Sequence, residues 1–305
     1  MRSNDNTGRP ERVWHAGFEA AANTTGPRAL RVGALIIHGL GGSEHDLGRM
    51  RRSLELAGIA THAPTLPGHG GTPGDLREVR AEAWLENVTA AYDELVQRYD
   101  TFHVIGMCMG ALLALLLAER RQHRKGRLVA LAAPVFLDGW SVPSYRWLRH
   151  MIYRMPRLAG IMRVQEKAPF GVKNTLIRSA IKARFERGDP FHYRWVPLTC
   201  IRQVDRLRHW VLDSARGIPC PTLVANARED ELTSLRSAEF LLDAIPDAKG
   251  LILENSYHMI CIDNDRKQVT RSVLDFLGAF TAREVRPVTV SHAPHGQAVP
   301  LHAFG

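Results

Sequence analysis

The stretch "FHVIGMCMGALLALLLAER", Phe102 to Arg120, decides the fold. It opens as an apolar strand, turns sharply between Gly106 and Gly110, and continues as an apolar helix, with Cys108 at the turn. Such a strand–G-x-nucleophile-x-G–helix unit has a mechanical rationale. The tight turn strains the central residue so that its side chain stands at the top of a sheet, and the flanking glycines let strand and helix approach closely. The helix N-terminus lowers a thiol pKa and offers N–H groups to a developing oxyanion. The plain alternative is a buried structural cysteine in a tight strand–helix turn.

Outward from this unit, apolar strand-like runs alternate with helical patterns. "RVGALIIH" (Arg31 to His38) and "GIATHAPTL" (Gly58 to Leu66) precede it, with an amphipathic helix near Glu82 to Tyr99. "RLVALAAP", "PTLVANA" (Pro221 to Ala227) and "GLILEN" (Gly250 to Asn255) follow, and the last two lead into helices near Leu235 to Ala244 and Arg266 to Phe280. Short β-rich runs alternating with helices predict an α/β fold, a mostly parallel central sheet flanked by helices.

Residues 136–217 break the rhythm. They read as helices, such as "SYRWLRHMIYRM" and "NTLIRSAIKARFERG", with no convincing strand. In the second, Leu176, Ile177, Ala180, Ile181 and Phe185 recur at helical spacing, and Asn174 or Thr175 is placed to cap it. The expected organisation is a loose tail at 1–11, an α/β core at 12–135 and 218–283, a helical cap at 136–217 and a loose tail at 284–305. Trp147, Met151, Ile152, Met155 and Phe170 suit either an apolar acyl pocket or ordinary core packing.

A nucleophile for acyl chemistry needs a base, and the base needs an acid to orient it. "ANAREDELTS" places Asp230 just after one strand, and "LENSYHMICID" places His258 just after the next. The order Cys108, Asp230, His258 is a nucleophile–acid–base order; Glu229 and Glu231 are rival acids. The glycine-rich turn in "LIIHGLGGSEHDL" would aim the N–H of Leu40 at the site, with Met109 N–H as second donor. A dinucleotide loop is a weak reading of that turn, because Glu44 occupies the third glycine's place. His38 and His69 are read as loop-holding residues. No metal motif and no cofactor site is expected, and the tail histidines His292, His295 and His302 are read as incidental.

The composition, 45% hydrophobic and 23% charged over 305 residues, is that of a globular protein. Four cysteines without C-x-x-C pairing point to a reducing compartment, and the N-terminus lacks a signal-peptide apolar region, so a cytoplasmic location is expected. The longest apolar run, Ala111 to Ala118, is too short to span a bilayer. The net charge of +9 is uneven: residues 136–217 hold 16 Lys+Arg against 6 Asp+Glu. That is either a set of solvated helix faces or a docking surface for an acidic partner. Nothing there resembles a nucleic-acid-reading module.

The pieces "HGLGGSEHDL", "LPGHGGTPGD", "GMCMG", "AREDE" and "SYHMICID" stand in an order that resembles the α/β-hydrolase superfamily, most of all its carboxylesterase and monoacylglycerol-lipase branch. The resemblance covers about residues 31 to 281. It implies a triad of Cys108, Asp230 and His258, oxyanion donors at Leu40 and Met109, and a helical cap lining an acyl pocket. The departure is the thiol, where serine is usual. Dienelactone hydrolases and polyhydroxyalkanoate synthases are similar folds that use cysteine, but this chain lacks synthase-like size and carries a cap that the former would not need.

A Cys–His pair forms an acyl thioester, which exchanges readily with thiols, amines and alcohols. Two catalytic expectations follow. One is hydrolysis of a small-molecule ester or thioester. The other is acyl transfer, with coenzyme A or an acidic acyl carrier protein docking on the basic cap through Arg178, Lys182, Arg184 and Arg187. A silent binding scaffold is the remote third.

Overall fold

The computed structural model describes residues 30–188 and 192–279. The expected tails, and residues 12–29 and 280–283 of the expected core, lie outside the described residues. Six parallel strands form the main sheet: β1 (Val32–Ile37), β2 (Ile59–His62), β3 (Thr101–Met107), β4 (Leu128–Leu131), β7 (Thr222–Ala227) and β8 (Ala248–Leu253), in the order β2-β1-β3-β4-β7-β8. The register sets Ile37 beside Gly106 and Met107 beside Leu131, so β1, β3 and β4 end side by side at one edge. Alternate residues of β1 face opposite cores: Leu35 and Ile37 join one apolar cluster, Ala34 and Ile36 the other. β4 and β7 are buried throughout, as strands covered on both faces must be.

The helices supply that cover. α1 (Met50–Leu56) and α9 (Arg266–Leu277) lie on one face, bringing Met50, Leu54, Val269 and Val273 into the second cluster. α2 (Ala81–Leu95), α3 (Met109–Arg120) and α8 (Arg236–Ala244) contribute to the first. Met109 to Ala118 are all buried, which explains why α3 is apolar all round.

Between β4 and β7 lie α4 (Leu148–Ile152), α5 (Pro156–Ile161), β5 (Arg163–Gln165), α6 (Thr175–Arg187), β6 (Trp195–Pro197) and α7 (Leu198–Ser214). The antiparallel pair β5–β6 corrects the expectation that this region holds no strand. Three residues each are too short for any alternation to register in the sequence. "SYRWLRHMIYRM" is likewise not one helix but a 3-10 turn, Ser144–Trp147, followed by the short α4. Asn174 caps α6, accepting from Ile177 N at 3.1 Å. Of its expected apolar face only Phe185 is buried, while Leu176 is 81% exposed. α7 falls within 136–217 yet packs on α3, burying Cys200, Val204, Leu207 and Val211 in the same cluster.

Trp147, Met151 and Met155 are exposed, which corrects the core-packing alternative for them; Ile152 and Phe170 are half-buried. No helix among the described residues is long and apolar enough to cross a membrane.

Candidate active site

Cys108 stands between β3 and α3 with φ 55° and ψ −123°, a conformation costly for a residue with a Cβ. The flanking glycines show what enforces it. A Cβ on Gly106 would lie 2.1 Å from Gly110 O, and one on Gly110 would lie 2.2 Å from Ile37 O. Strand and helix are packed closer than any side chain allows, and the turn thrusts Cys108 outward. All four cysteines are free; Cys108 is half-exposed and the other three are buried. Burial pushes the thiol of Cys220 up to about 11 and that of Cys200 up to about 12.

His258 comes from the loop after β8, and Asp230 from the loop after β7. His258 Nδ1 lies 2.8 Å from Asp230 Oδ2, and both residues are buried. The other carboxylate oxygen, Asp230 Oδ1, accepts the N–H groups of Leu232 at 2.8 Å and Thr233 at 3.0 Å, which fixes the carboxylate's orientation. As an ionised acceptor, Asp230 assigns the Nδ1 proton to the ring and leaves Nε2 for other work. Nε2 is buried without a hydrogen-bond partner. The Cys108 sulfur is the ring's other electrostatic partner. Burial opposes a charged ring here, but Asp230 and Cys108 outweigh it and raise the His258 pKa well above its ordinary value.

The rival acids are elsewhere. Glu229 is exposed and pairs with Lys173 Nζ at 2.7 Å. Glu231 is buried, and it accepts the backbone N–H of His258 at 3.1 Å rather than a ring proton. Burial raises its pKa.

The glycine-rich loop after β1 passes over Cys108: a Cβ on Gly39 would sit 3.1 Å from the Cys108 Cβ. Leu40, in this loop, and Met109, at the first position of α3, have no backbone acceptor for their N–H groups among the described residues. The first N–H groups of any helix lack intrahelical partners, and a helix N-terminus favours negative charge.

Three side chains shape the loop. Asp46 is buried; its Oδ2 accepts Gly39 N at 3.3 Å and would lie 1.9 Å from a Cβ on Gly42. Burial would push Asp46 up, but His192, 3.7 Å away, with His38 and the Gly39 N–H, holds it below its usual range. His69 Nε2 accepts Gly41 N at 2.9 Å, and His69 Nδ1 faces Pro67 O at 3.2 Å, which fixes the tautomer. Burial lowers its pKa to about 3, so the ring stays neutral and able to accept. His38 Nδ1 meets Gly39 O at 2.9 Å. His38 and His69 thus hold loops, as the sequence reading expects.

Sequence reasoning missed Asp46, Asp263 and Tyr193. Asp263 is fully buried, and its carboxylate accepts four backbone N–H groups: Tyr257 at 2.9 Å, Asn264 at 2.9 Å, Lys173 at 2.6 Å and Asn174 at 2.8 Å. It ties the His258 loop to the start of α6. Met259 N adds a bond to Gly171 O at 2.8 Å. Tyr193 N donates to Gly41 O at 2.7 Å, and the Tyr193 hydroxyl donates to Gly68 O at 3.0 Å. Asp46 and Asp263 each close a motif already visible in the sequence, "HGLGGSEHD" and "SYHMICID". Tyr193 carries no such signal.

The basic patch is reorganised. Arg178 does not project to solvent, because its guanidinium donates to Val172 O at 2.9 Å and Lys173 O at 3.1 Å. Lys182 is exposed beside Glu186.

Residues 30–265 match the protein family described as "Serine aminopeptidase, S33". The thermostable monoacylglycerol lipase of Bacillus sp. (strain H-257) is 26% identical over 247 residues, 80% of this chain and 90% of that protein. The pimeloyl-[acyl-carrier protein] methyl ester esterase of Aromatoleum aromaticum is 39% identical over 82 residues, 27% of this chain and 30% of that protein. Among solved structures, a soluble variant of monoglyceride lipase from Saccharomyces cerevisiae superposes with a TM-score of 0.70 at 14% identity, over 90% of this chain and 97% of that one. With this match, the six-stranded parallel sheet and the elbow at Cys108, the chain belongs to the serine aminopeptidase S33 family and is an enzyme of the α/β-hydrolase superfamily.

Proposed function

We propose that the chain hydrolyses carboxylic esters or thioesters through a Cys108–His258–Asp230 triad. The observation that carries this reading is the 2.8 Å contact of His258 Nδ1 with Asp230, which leaves a buried, unpartnered Nε2 on the Cys108 side of the ring. In the first half-reaction Cys108 Sγ attacks the acyl carbonyl as thiolate, its proton carried on His258 Nε2. The N–H groups of Leu40 and Met109 take up the charge on the carbonyl oxygen. The carbon–leaving-group bond then breaks, and His258 returns its proton to the departing oxygen or sulfur. In the second, His258 takes a proton from water, the resulting nucleophile attacks the acyl thioester, and Cys108 is released. Asp230 keeps the imidazole oriented and balances its charge throughout.

Two relatives named for carboxylic esters support the substrate class. The helical region 136–217 acts as a cap lining the acyl pocket; the bonds of Tyr193 to Gly41 and of Met259 to Gly171 support that placement. Four free thiols fit a reducing compartment such as the cytoplasm.

Acyl transfer to an amine, alcohol or thiol is the second reading, and the thiol itself favours it, since a thioester intermediate exchanges readily. Its basic docking site for coenzyme A or an acidic carrier protein keeps Lys182 but loses Arg178.

The test is covalent labelling. Iodoacetamide should modify Cys108 before Cys200, Cys220 or Cys261, and Cys108→Ala should abolish turnover with the fold intact. Labelling elsewhere, together with an active alanine variant, removes Cys108 from the mechanism.

A further inference from the structure

The segment around α4 is inverted. Arg149 and Tyr153, four residues apart, point inward: the Arg149 side chain is only 14% exposed and grips Asp205 with Nε–Oδ2 at 2.9 Å and Nη2–Oδ1 at 3.1 Å. The Tyr153 hydroxyl donates to the same carboxylate at 2.9 Å, and Arg208 closes the cluster. On the same four-residue spacing, Trp147, Met151 and Met155 point outward and are 60%, 60% and 57% exposed. Ile161, at the end of α5, is 73% exposed. Large apolar side chains rarely face water in such concentration without a partner. The buried ion cluster makes the inversion specific, because turning the helix over would expose the salt bridges and bury no charge partner.

Charge identifies the partner. Residues 140–187 carry 11 Lys+Arg and 2 Asp+Glu; the rest of the chain, 40 − 11 against 31 − 2, balances at 29 each. The whole net charge of +9 therefore lies in the segment that also exposes these apolar side chains. A second copy of the chain would set like charge against like. An acidic protein would satisfy the arginines and leave Trp147, Met151, Met155 and Ile161 without a counterpart. A bilayer with anionic headgroups satisfies both: phosphates meet the basic side chains, and tryptophan, methionine and isoleucine enter the acyl boundary.

The geometry points to a peripheral membrane-docking face, formed by Trp147, Met151, Met155 and Ile161 with the surrounding basic residues, that seats the protein on anionic phospholipid. This goes beyond the proposed reaction and does not depend on Cys108.

The test is co-sedimentation of the full chain with vesicles. It should bind a one-to-one mixture of phosphatidylcholine and phosphatidylglycerol at low salt, bind pure phosphatidylcholine far more weakly, and lose most of the anionic binding near about 1 M salt. Trp147→Ser with Met151→Ser, and separately Arg154→Glu with Lys167→Glu, should each weaken partitioning roughly tenfold or more. Both double variants should keep the parent's Tm, which separates lost docking from lost folding. Cys108→Ala should bind vesicles as the parent does, which separates this inference from the catalytic one. Equal binding by both double variants, or no binding to anionic vesicles at low salt, overturns it. So does a dimer of the parent that the Trp147→Ser, Met151→Ser variant dissociates, since the apolar face would then belong to self-association.

Discussion

Asp263 Oδ2 accepts the backbone N–H of Lys173 at 2.6 Å, joining residues ninety positions apart. The same carboxylate holds Tyr257 N, next to His258, and it is fully buried. One side chain therefore sets both the loop that carries the candidate base and the start of α6.

Replacing Asp263 should cost both stability and turnover. Asp263→Ala strands up to four N–H groups away from water, at about 1–3 kcal/mol for each that finds no new partner. Asp263→Asn keeps one acceptor oxygen and should lose less on both counts. Thermal unfolding and ester turnover, measured on both variants, check this; an alanine variant with unchanged Tm and turnover would show that the His258 loop holds itself.

Asp230→Asn should lower turnover by on the order of a thousandfold or more with a small change in stability, because the amide leaves the imidazole in the wrong tautomer without its charge partner. Glu231→Gln should cost much less, since Glu231 holds the His258 backbone rather than its ring. Steady-state kinetics on the two variants decide the assignment: the reverse ranking would move the acid role to Glu231.

Cys108→Ser asks whether the site is tuned for a thiolate. The elbow geometry suits serine equally, and His258 Nε2 has no competing partner. Simple ester hydrolysis should survive in the serine variant while transfer to added thiols is lost. A serine variant dead toward every ester would mean that an ion pair with Cys108 is required to hold the proton on His258.

Acid should destabilise the fold through buried histidines. Burial pushes His69 down to about 3, and His103 and His123 down to about 4. In the unfolded chain such a ring takes a proton near pH 6.5, roughly the free-histidine value. Below that pH the unfolded state binds protons that the folded state refuses, so stability present at pH 7 is lost as pH falls from about 6.5 toward 4. His258 and His192 have raised folded values; their contribution is complete below about pH 6.5 and is lost only as pH rises through those values. Between pH 7 and pH 5 that contribution rises by only a fraction of a pK unit, so it offsets a small part of the acid loss. Urea unfolding should give a stability lower at pH 5 than at pH 7 by several kcal/mol, on the order of 2 per ring. A flat profile would show that these rings are not held neutral.

The sheet and the candidate triad were legible because their signals are local. Gly106 and Gly110 flank Cys108 within five residues, and Asp230 and His258 each lie in the loop just after a short strand-like run, Thr222–Ala227 and Ala248–Leu253. What stayed hidden depends on partners distant in the chain. Arg149 points inward only because Asp205, fifty-six residues on, receives it, and that contact turns Trp147 and Met151 outward against the usual sense of their spacing. Leu176 reads as core by periodicity but is 81% exposed, with no opposing face among the described residues. Arg178 reads as a solvated charge, yet it closes the carbonyls of the turn before its own helix. The aspartates of the two loops were present in quoted motifs, and only the fold reveals which N–H groups they gather.

Intact-mass spectrometry after brief mixing with a chromogenic ester, and in parallel with an acyl thioester, tests the central claim most directly. The account predicts a mass increase of one acyl group, located on Cys108 after digestion, removed by hydroxylamine, absent in Cys108→Ala and much slower to form in His258→Ala. Turnover with no acylated species under any quench, together with persistent activity in Cys108→Ala, would contradict it.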